Sequence, residues 1–479
     1  MDVLSPLDAA FLRLESHDAP LHIASVAVFD GPAPVFEDFV RLLCSKLPLI
    51  PRYRQRVQEV PLWLGRPVWV DDPAFDAAYH VRHTAVPQPG TDAQLQTLCA
   101  RLLSQPLDRS RPLWESWFVE GLAGGRWALV SKVHHCMVDG IAGTDLLSRV
   151  LDSSPDPAPC EADSWQPTAG PGTLRLLSTA LTTMPRPGSG VHRVIEAVRH
   201  PRRTGRELLE DGRGLATWAG VLRPASRSSL TGPITHHRGW GWAEVSLDDV
   251  RRVRHALGGT VNDVVLTLVT GAYRDLLLAR GEEPDPHSVR SLVPVSVRVR
   301  HSDGDEPMVA NRVSALVAEL PVHLADPVER LAAVRAELDS LKASGEARAG
   351  EALTTAAGLV PPLLLSTGLY GGFRVPQRQL VTVTTNVPGP PMTLWGLGRR
   401  LRTLHPFVPI ADRLRTGVAV TSYEGTLYFG ITADADSTPD LDVLTRGIVA
   451  AMAELLAATT TSGDLLAPDE NPKKGVRHA

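Results

Sequence analysis

The stretch that most constrains this sequence is residues 127–140, where a short apolar run leads into two adjacent histidines and then an Asp-Gly pair. The run Trp-Ala-Leu-Val at 127–130 is typical of an interior β-strand. If the strand continues through the histidines, His134 and His135 point to opposite faces of the sheet. One histidine can then face a cavity while its neighbour is packed, at a strand end of the kind that commonly holds functional groups.

The sequence around this stretch predicts both strands and helices. Residues 113–119 form a second apolar run, which can pair with residues 127–134 across a glycine-rich turn. Other elements follow from the alternating or helical spacing of apolar residues. We predict strands at 21–29 and 381–387, hairpins at 61–70 and 418–431, and helices at 4–14, 146–151, 260–278 and 326–341.

Composition places the chain among globular proteins. Hydrophobic residues make up 43% and charged residues 21% of the 479 positions, and a chain of this length is expected to form two domains. A net charge of −4 does not suggest a nucleic-acid partner. The four cysteines lie far apart, which favours a reducing, cytoplasmic setting. The N-terminus has no signal-peptide pattern, and the apolar segment 359–373 is interrupted by prolines and glycines, so we expect no membrane-spanning helix.

The motif His-His-x-x-x-Asp-Gly at residues 134–140 resembles the active-site signature of the CoA-dependent acyltransferase superfamily. Four further stretches resemble one branch of it, the bacterial wax ester synthase/diacylglycerol acyltransferase family. They are Ser-Pro-Leu-Asp at 5–8, Pro-Leu-Trp at 112–114, Asn-Asp at 262–263 and Asn-Val-Pro-Gly-Pro at 386–390, the last preceded by Thr385 where the family usually has serine. The resemblance extends over residues 4–450. It implies a two-lobed, chloramphenicol acetyltransferase-like α/β fold with mixed sheets and a central tunnel between the lobes.

The resemblance and the composition together predict how the chain is divided. We expect an N-terminal lobe at 1–152 that carries the motif, a crossover linker with short helices at 153–232, a C-terminal lobe at 233–463 and a flexible tail at 464–479. The linker is rich in proline, and its arginines outnumber its acidic residues. It is either a solvated connection between the lobes or an amphipathic segment that draws the protein to anionic lipid. The second interpretation implies peripheral contact with the inner membrane or with lipid inclusions.

Ester formation from a thioester needs a base that removes the proton of a weakly acidic hydroxyl. A neutral histidine suits this task near pH 7, and the resemblance assigns it to His135. The resulting imidazolium can return its proton to the departing CoA thiolate, so we expect acyl-CoA as a substrate and no metal or other cofactor. The expected acceptor is diacylglycerol, which gives triacylglycerol, or a fatty alcohol, which gives a wax ester.

The other motif residues, His134, Asp139 and Gly140, are expected to belong to the catalytic site together with His135. His134 completes the histidine pair. Asp139 either steers the imidazole or, as the resemblance implies, holds the loop by pairing with an arginine such as Arg298. Gly140 permits a backbone conformation that is closed to other residues.

Residues outside the motif are also candidates for the site. The hydroxyl of Thr385 and the amide of Asn386 can stabilise the oxyanion that forms at the thioester carbon. Asn262 and Asp263 either cap the free N–H groups of the helix that follows them or take part in the chemistry. Trp114 is expected to bury a large surface beside the site.

Several alternatives remain at this point. His134, His135 and Asp139 could bind a metal, but adjacent histidines on a strand diverge and no third imidazole has suitable spacing. Cys136 could be a nucleophile, although free cysteine is commonly a packed apolar residue. The chain could also be a non-catalytic lipid carrier of the same fold, or could transfer acyl groups to a polyketide or peptide acceptor. A second His-His pair at 236–237 lacks a following Asp-Gly and is not predicted to be a site.

Overall fold

The computed structural model describes residues 2–61, 64–137, 147–156, 165–183, 228–297, 312–343, 380–411 and 413–464. Its strands are β1 (Asp2–Val3), β2 (His22–Phe29), β3 (Gln55–Gln58), β4 (Val68–Asp71), β5 (Val81–Ala85), β6 (Trp114–Glu120), β7 (Trp127–His134), β8 (Arg238–Ser246), β9 (Arg290–Val297), β10 (Arg312–Glu319), β11 (Thr382–Val387), β12 (Trp395–Gly396), β13 (Arg399–Phe407), β14 (Thr416–Tyr423) and β15 (Thr426–Asp434). Its helices are α1 (Pro6–Leu14), α2 (Phe36–Lys46), α3 (Ala77–His80), α4 (Asp92–Ser104), α5 (Thr173–Thr183), α6 (Leu247–Leu257), α7 (Val261–Ala279), α8 (Pro327–Ala343) and α9 (Leu441–Asp464).

Most described strands belong to two six-stranded sheets. The first has the order β12-β13-β2-β7-β6-β5 and the second has the order β10-β9-β11-β14-β15-β8, while β1, β4 and β3 form a small third sheet. In the first sheet β5 runs parallel to β6, and in the second β11 runs parallel to both β9 and β14. The other neighbours in both sheets are antiparallel. Both large sheets are therefore mixed, and the predicted α/β fold with mixed sheets is confirmed.

β7 is an interior strand of the first sheet, because β2 pairs with one of its edges and β6 with the other. Residues 127–130 are completely buried, as their apolar composition predicted. The strand ends at His134 and is followed by a 3₁₀ turn over His135–Met137. The strand therefore does not continue through His135, since a turn replaces the extended backbone at that residue.

The first sheet also contains two strands from the predicted C-terminal lobe. β13 pairs antiparallel with β2, from Leu401 opposite Phe29 to Phe407 opposite Ala24, and β12 extends the sheet beyond β13. A division of the chain into consecutive lobes therefore does not describe this sheet. The boundaries at 152, 232 and 463 and the central tunnel between the lobes stay predictions.

The second sheet is covered by helices on its apolar face. α7 packs against α8 and α9, and side chains of all three helices share one hydrophobic core with the strands of this sheet. The face of α8 that Leu331, Val334 and Leu338 occupy is buried, as its helical spacing predicted. No helix among the described residues is both long and apolar enough to cross a bilayer.

One predicted element is wrong, and some lie outside the described residues. The hairpin predicted at 61–70 is not formed, because β4 pairs with β3 and β1 instead of with the residues just before Gly65. Most of the predicted linker, the apolar segment 359–373 and residues 465–479 of the predicted tail lie outside the described part of the chain.

The two large sheets meet at Gly430 of β15, and this contact leads to a prediction about stability. A Cβ atom on Gly430 would lie 1.7 Å from the carbonyl oxygen of Pro406 on β13, so Gly430→Ala forces the strands apart. We expect the free energy of unfolding to fall by about 1–3 kcal/mol or more, measured by urea denaturation. The control is Gly172→Ala, where the added Cβ would meet no described atom within 4 Å. Equal stability of the two variants would contradict the close approach of β13 and β15.

Candidate active site

The two motif histidines are held by backbone hydrogen bonds at the end of β7. The amide of His134 donates to the carbonyl of Leu113 at 2.9 Å, just before β6 begins. The amide of His135 donates to the carbonyl of Leu21 at 3.0 Å, just before β2 begins. The end of β7 is therefore hydrogen-bonded to the chain segments that lead into β6 and β2, and the turn begins directly after His134.

The ring of His135 is partly exposed and packs against an aromatic side chain of α1. Its centroid lies 4.1 Å from the ring centroid of Phe11, with the two planes 31° apart. Its Nδ1 is buried and has no hydrogen-bond partner in another described residue. Burial lowers the pKa of His135 to about 4, although a hydrogen bond to its own backbone raises the pKa in part. The imidazole is therefore neutral near pH 7 and able to accept a proton.

His134 is completely buried and occupies a different environment from its neighbour. Its Nδ1 accepts a hydrogen bond from the amide of Cys136 at 3.1 Å. This contact requires an unprotonated Nδ1, so the ring proton lies on Nε2. Nε2 faces Oε1 of Glu15 at 3.6 Å, which is longer than a full hydrogen bond but close enough for strong electrostatic attraction. His134 thus holds the turn together through its Nδ1, and a direct part in catalysis stays a prediction.

Glu15, which the sequence did not single out, is an acidic residue that lies beside the ring of His134. It follows the last residue of α1, and its side chain is only 6% exposed. Its carboxylate accepts from the amide of Leu21 at 3.0 Å and from Nε and Nη2 of Arg109 at 3.0 and 2.7 Å. Burial alone would raise the pKa of Glu15, but His134, Arg109 and the Leu21 amide outweigh it and lower the pKa to about 2. No local pattern marks this residue, because its partners lie far away in the sequence.

Trp114 lies in the same sheet and supports it by packing. The indole is 1% exposed and stacks between the rings of Tyr53 and His80, at centroid distances of 4.3 and 4.5 Å. Its Nε1 donates to the carbonyl of Tyr53 at 2.8 Å. The indole of Trp114, a predicted site residue, is therefore buried in protein, and its one polar atom is hydrogen-bonded.

The second sheet brings two other predicted residues together. Nδ2 of Asn386 on β11 donates to Oδ1 of Asn262, which lies at the start of α7, at 3.4 Å. Thr385 precedes Asn386 on the same strand, and both side chains are partly exposed. No hydrogen bond between described residues joins Thr385 or Asn386 to His135. Their role at an oxyanion stays a prediction.

The start of α7 is capped by a reciprocal pair that includes Asp263, one of the two residues that the sequence suggested. Thr260 is the N-cap, and its side chain accepts from the amide of Asp263 at 3.2 Å. The carboxylate of Asp263 accepts in return from the amide of Thr260 at 2.7 Å. This reciprocal pair is a capping box. Asp263 therefore has a structural function, and the side chain of Asn262 remains available to Asn386.

Three predicted site residues, Asp139, Gly140 and Arg298, lie outside the described residues. The pairing of Asp139 with Arg298 and the special backbone conformation of Gly140 stay predictions.

The described geometry argues against two of the alternatives. Burial raises the pKa of the Cys136 thiol, so this residue is a packed thiol and not an activated nucleophile. Both ring nitrogens of His134 face protein groups, which leaves no nitrogen for a metal. In the described part of the chain, the group with ligand atoms close enough to hold a metal is His17, Asp18 and His236, which is exposed and shares no residue with the motif.

Comparison with known proteins identifies a family along nearly the whole chain. Residues 4–265 match the family model of the wax ester synthase/diacylglycerol acyltransferase catalytic domain, and residues 309–456 match that of the WS/DGAT C-terminal domain. A Mycobacterium tuberculosis protein named as a probable diacylglycerol O-acyltransferase is 41% identical over 466 residues, which cover 95% of this chain and 96% of that protein.

Two solved structures have the same fold as this chain. The wax ester synthase/diacylglycerol acyltransferase from Marinobacter aquaeolei VT8 is 26% identical, with a TM-score of 0.67 over 96% of this chain and 100% of that chain. The first condensation domain of the calcium-dependent antibiotic synthetase shares the fold, with a TM-score of 0.60 and 17% identity over 95% of this chain and 96% of that chain.

The low pKa of His135 makes stability depend on pH. In the unfolded chain its pKa returns to 6.5, so its contribution to stability is complete above pH 6.5 and is lost as the pH falls towards 4. Between pH 7.5 and 5.0 we expect this residue to cost the folded protein about 2 kcal/mol. Urea unfolding at the two pH values measures the loss, which should be smaller by that amount in His135→Gln. Equal losses in the two proteins would show that the ring is not desolvated.

Proposed function

The chain belongs to the wax ester synthase/diacylglycerol acyltransferase family and is an acyltransferase, and from this premise we propose that it moves a long acyl group from acyl-CoA to an alcohol hydroxyl. His135 is the general base in this proposal. The observation that carries it is the half-buried imidazole in the turn after β7, next to a neighbour that is completely buried and whose two ring nitrogens face protein groups.

The reaction needs one proton to move twice. The alcohol proton passes to His135 while the alcohol oxygen attacks the thioester carbonyl and forms the new C–O bond. The tetrahedral intermediate collapses, the C–S bond breaks, and the imidazolium returns the proton to the CoA thiolate. The products are the ester and CoA thiol, so acyl-CoA supplies both the acyl group and the leaving group. No resident metal or cofactor is required by this sequence of steps.

The low pKa of His135 has two consequences for this chemistry. It makes the imidazole a weak base, which slows proton removal. It also keeps the base unprotonated throughout the neutral range. The oxyanion that develops beside the ring favours the imidazolium and so offsets part of this loss of basicity. The hydroxyl of Thr385 and the amide of Asn386 are the groups we propose for the oxyanion, from the opposite sheet.

The acceptor is proposed from the relatives. The Mycobacterium tuberculosis protein is named for diacylglycerol, and the Marinobacter protein is named for both wax esters and diacylglycerol. We therefore propose diacylglycerol, a fatty alcohol, or both as acceptors of this chain. Both are poorly soluble in water, so we expect a cytoplasmic enzyme that works in peripheral contact with the inner membrane or with lipid inclusions.

The base assignment is tested with His135→Ala. We expect the rate of CoA thiol release from palmitoyl-CoA and hexadecanol or diacylglycerol to fall about 100- to 10,000-fold, because the general base is removed. The matched control is His236→Ala, which removes an exposed histidine of the other His-His pair and should leave the rate unchanged. A folded His135→Ala protein with the wild-type rate would disprove the assignment.

The acceptor class is tested with one acyl-CoA and a panel of acceptors. Palmitoyl-CoA is offered with diacylglycerol, with hexadecanol, with an acceptor bound to a carrier protein, and with no acceptor. We expect thiol release with one or both lipids, matched by triacylglycerol or wax ester detected by mass spectrometry. Release only with the carrier-bound acceptor would contradict the lipid proposal and would favour a polyketide or peptide acceptor.

A further inference from the structure

The end of α1 contacts both motif histidines. Phe11 packs its ring on the ring of His135, and its carbonyl accepts the amide of Glu15 at 3.1 Å. Glu15 then places its carboxylate beside the ring of His134. One helix end therefore touches the proposed base directly and also holds the residue that precedes it.

The carboxylate of Glu15 defines the state of the His134 ring. Because Nδ1 of His134 accepts the amide of Cys136, the ring proton must lie on Nε2, and Nε2 faces Glu15. A negative charge at that position favours the N–H form of Nε2. With the other tautomer, Nδ1–H would oppose the amide of Cys136, two donors would face each other, and the turn would lose its internal hydrogen bond.

Leu21 provides a second connection from Glu15 to the proposed base. Its amide donates to Oε1 of Glu15 at 3.0 Å, and its carbonyl accepts the amide of His135 at 3.0 Å. The same carboxylate is therefore linked to His135 through the backbone of Leu21 and through the ring of His134. Arg109 holds the other carboxylate oxygen from the surface side, where its own side chain is 49% exposed.

We propose that Glu15 is a positioning residue that fixes the tautomer and orientation of His134, and through it the turn that presents His135 to the substrates. The inference rests on the proposed role of His135 as general base. A carboxylate that only fastened α1 to Arg109 would need neither the contact with His134 nor the contact with Leu21. The proposal therefore separates a catalytic effect of Glu15 from its effect on stability.

The test is Glu15→Gln, which keeps the volume and one acceptor oxygen for Leu21 but removes the charge and turns an amide donor towards Arg109 or His134. We expect kcat to fall about 10- to 100-fold, because a small displacement of a reacting group is costly. KM for palmitoyl-CoA should change by less than about twofold, since no substrate contact is removed. The matched control is Glu115→Gln on β6.

Glu115 is a suitable control because it is the same residue type in a similar environment. Its side chain is 10% exposed and lies 3.3 Å from Arg82 and 3.9 Å from Lys132, and it accepts from Trp117 at 3.1 Å. Its neutralisation removes a buried charge from the same sheet without touching residues 134–137. We expect Glu115→Gln to lose stability and to keep the wild-type kcat.

A double-mutant cycle distinguishes positioning from general loosening. If Glu15 acts only by placing His135, then Glu15→Gln changes the residual rate of His135→Ala by less than about twofold. An equal loss of rate in both backgrounds, or a wild-type kcat in Glu15→Gln, would overturn the proposal. If instead His135→Ala keeps the wild-type rate, the base assignment fails, and this result does not depend on Glu15.

A second variant decides the question if Glu15→Gln does not fold. Arg109→Gln removes the two hydrogen bonds that hold one carboxylate oxygen of Glu15, so the carboxylate is fixed less firmly against His134 and Leu21. We expect a smaller fall in kcat, about 3- to 10-fold, that again disappears in the His135→Ala background. An unchanged kcat in Arg109→Gln, together with an unfolded Glu15→Gln, would reduce Glu15 to a structural residue and overturn the proposal.

Discussion

The backbone pairing of β7 is the constraint on which the rest of the site depends. An interior strand is held along both edges, so its end cannot slide or twist independently of its neighbours. Here the pairing extends one residue beyond the strand on one side, where the amide of His135 donates to Leu21. The chain then changes from an extended strand to a tight turn between two adjacent histidines. That change, and not strand alternation, gives the two identical side chains different surroundings.

Buried polar groups of β7 and of the neighbouring strand β2 contact the end of α4. Lys132 is fully buried and donates to the carbonyl of Leu102 at 3.1 Å, and Nε2 of His22 lies 3.0 Å from the carbonyl of Leu103. The last carbonyls of a helix carry a partial negative charge, which a cation nearby stabilises. Burial lowers the pKa of Lys132 to about 8, partly offset by Glu115. These contacts fix β2 and β7 relative to α4 and so help to hold the end of β7 in place.

Much of the fold was predictable because its signals are local. The strands at 21–29 and 127–134, the turn at Glu424 and the apolar face of α8 follow from side-chain periodicity and turn residues within short windows. The partner of a strand is not local information. The sequence of β13 shows an apolar pattern, but nothing in it indicates pairing with β2, which lies far earlier in the chain. The pattern near Gly65 resembled a hairpin, although β4 pairs with β3.

For the candidate site too, the local part was predictable from the sequence and the contacts with distant residues were not. The motif placed His134 and His135 together at a strand end, but the choice of which ring is free depends on contacts made by distant residues. Glu15 illustrates the reason. Its charge stabilises the turn only because the end of α1 lies beside the place where β2 begins to pair with β7. The sequence shows only a glutamate after a short helix, and nothing in that pattern predicts this position. A buried charge of this kind costs desolvation, and Arg109 and Leu21 compensate for it with three hydrogen bonds. These contacts hold the turn after β7 in one conformation. The proposed proton transfer requires such a fixed turn, because His135 must lie within reach of both the alcohol and the thioester.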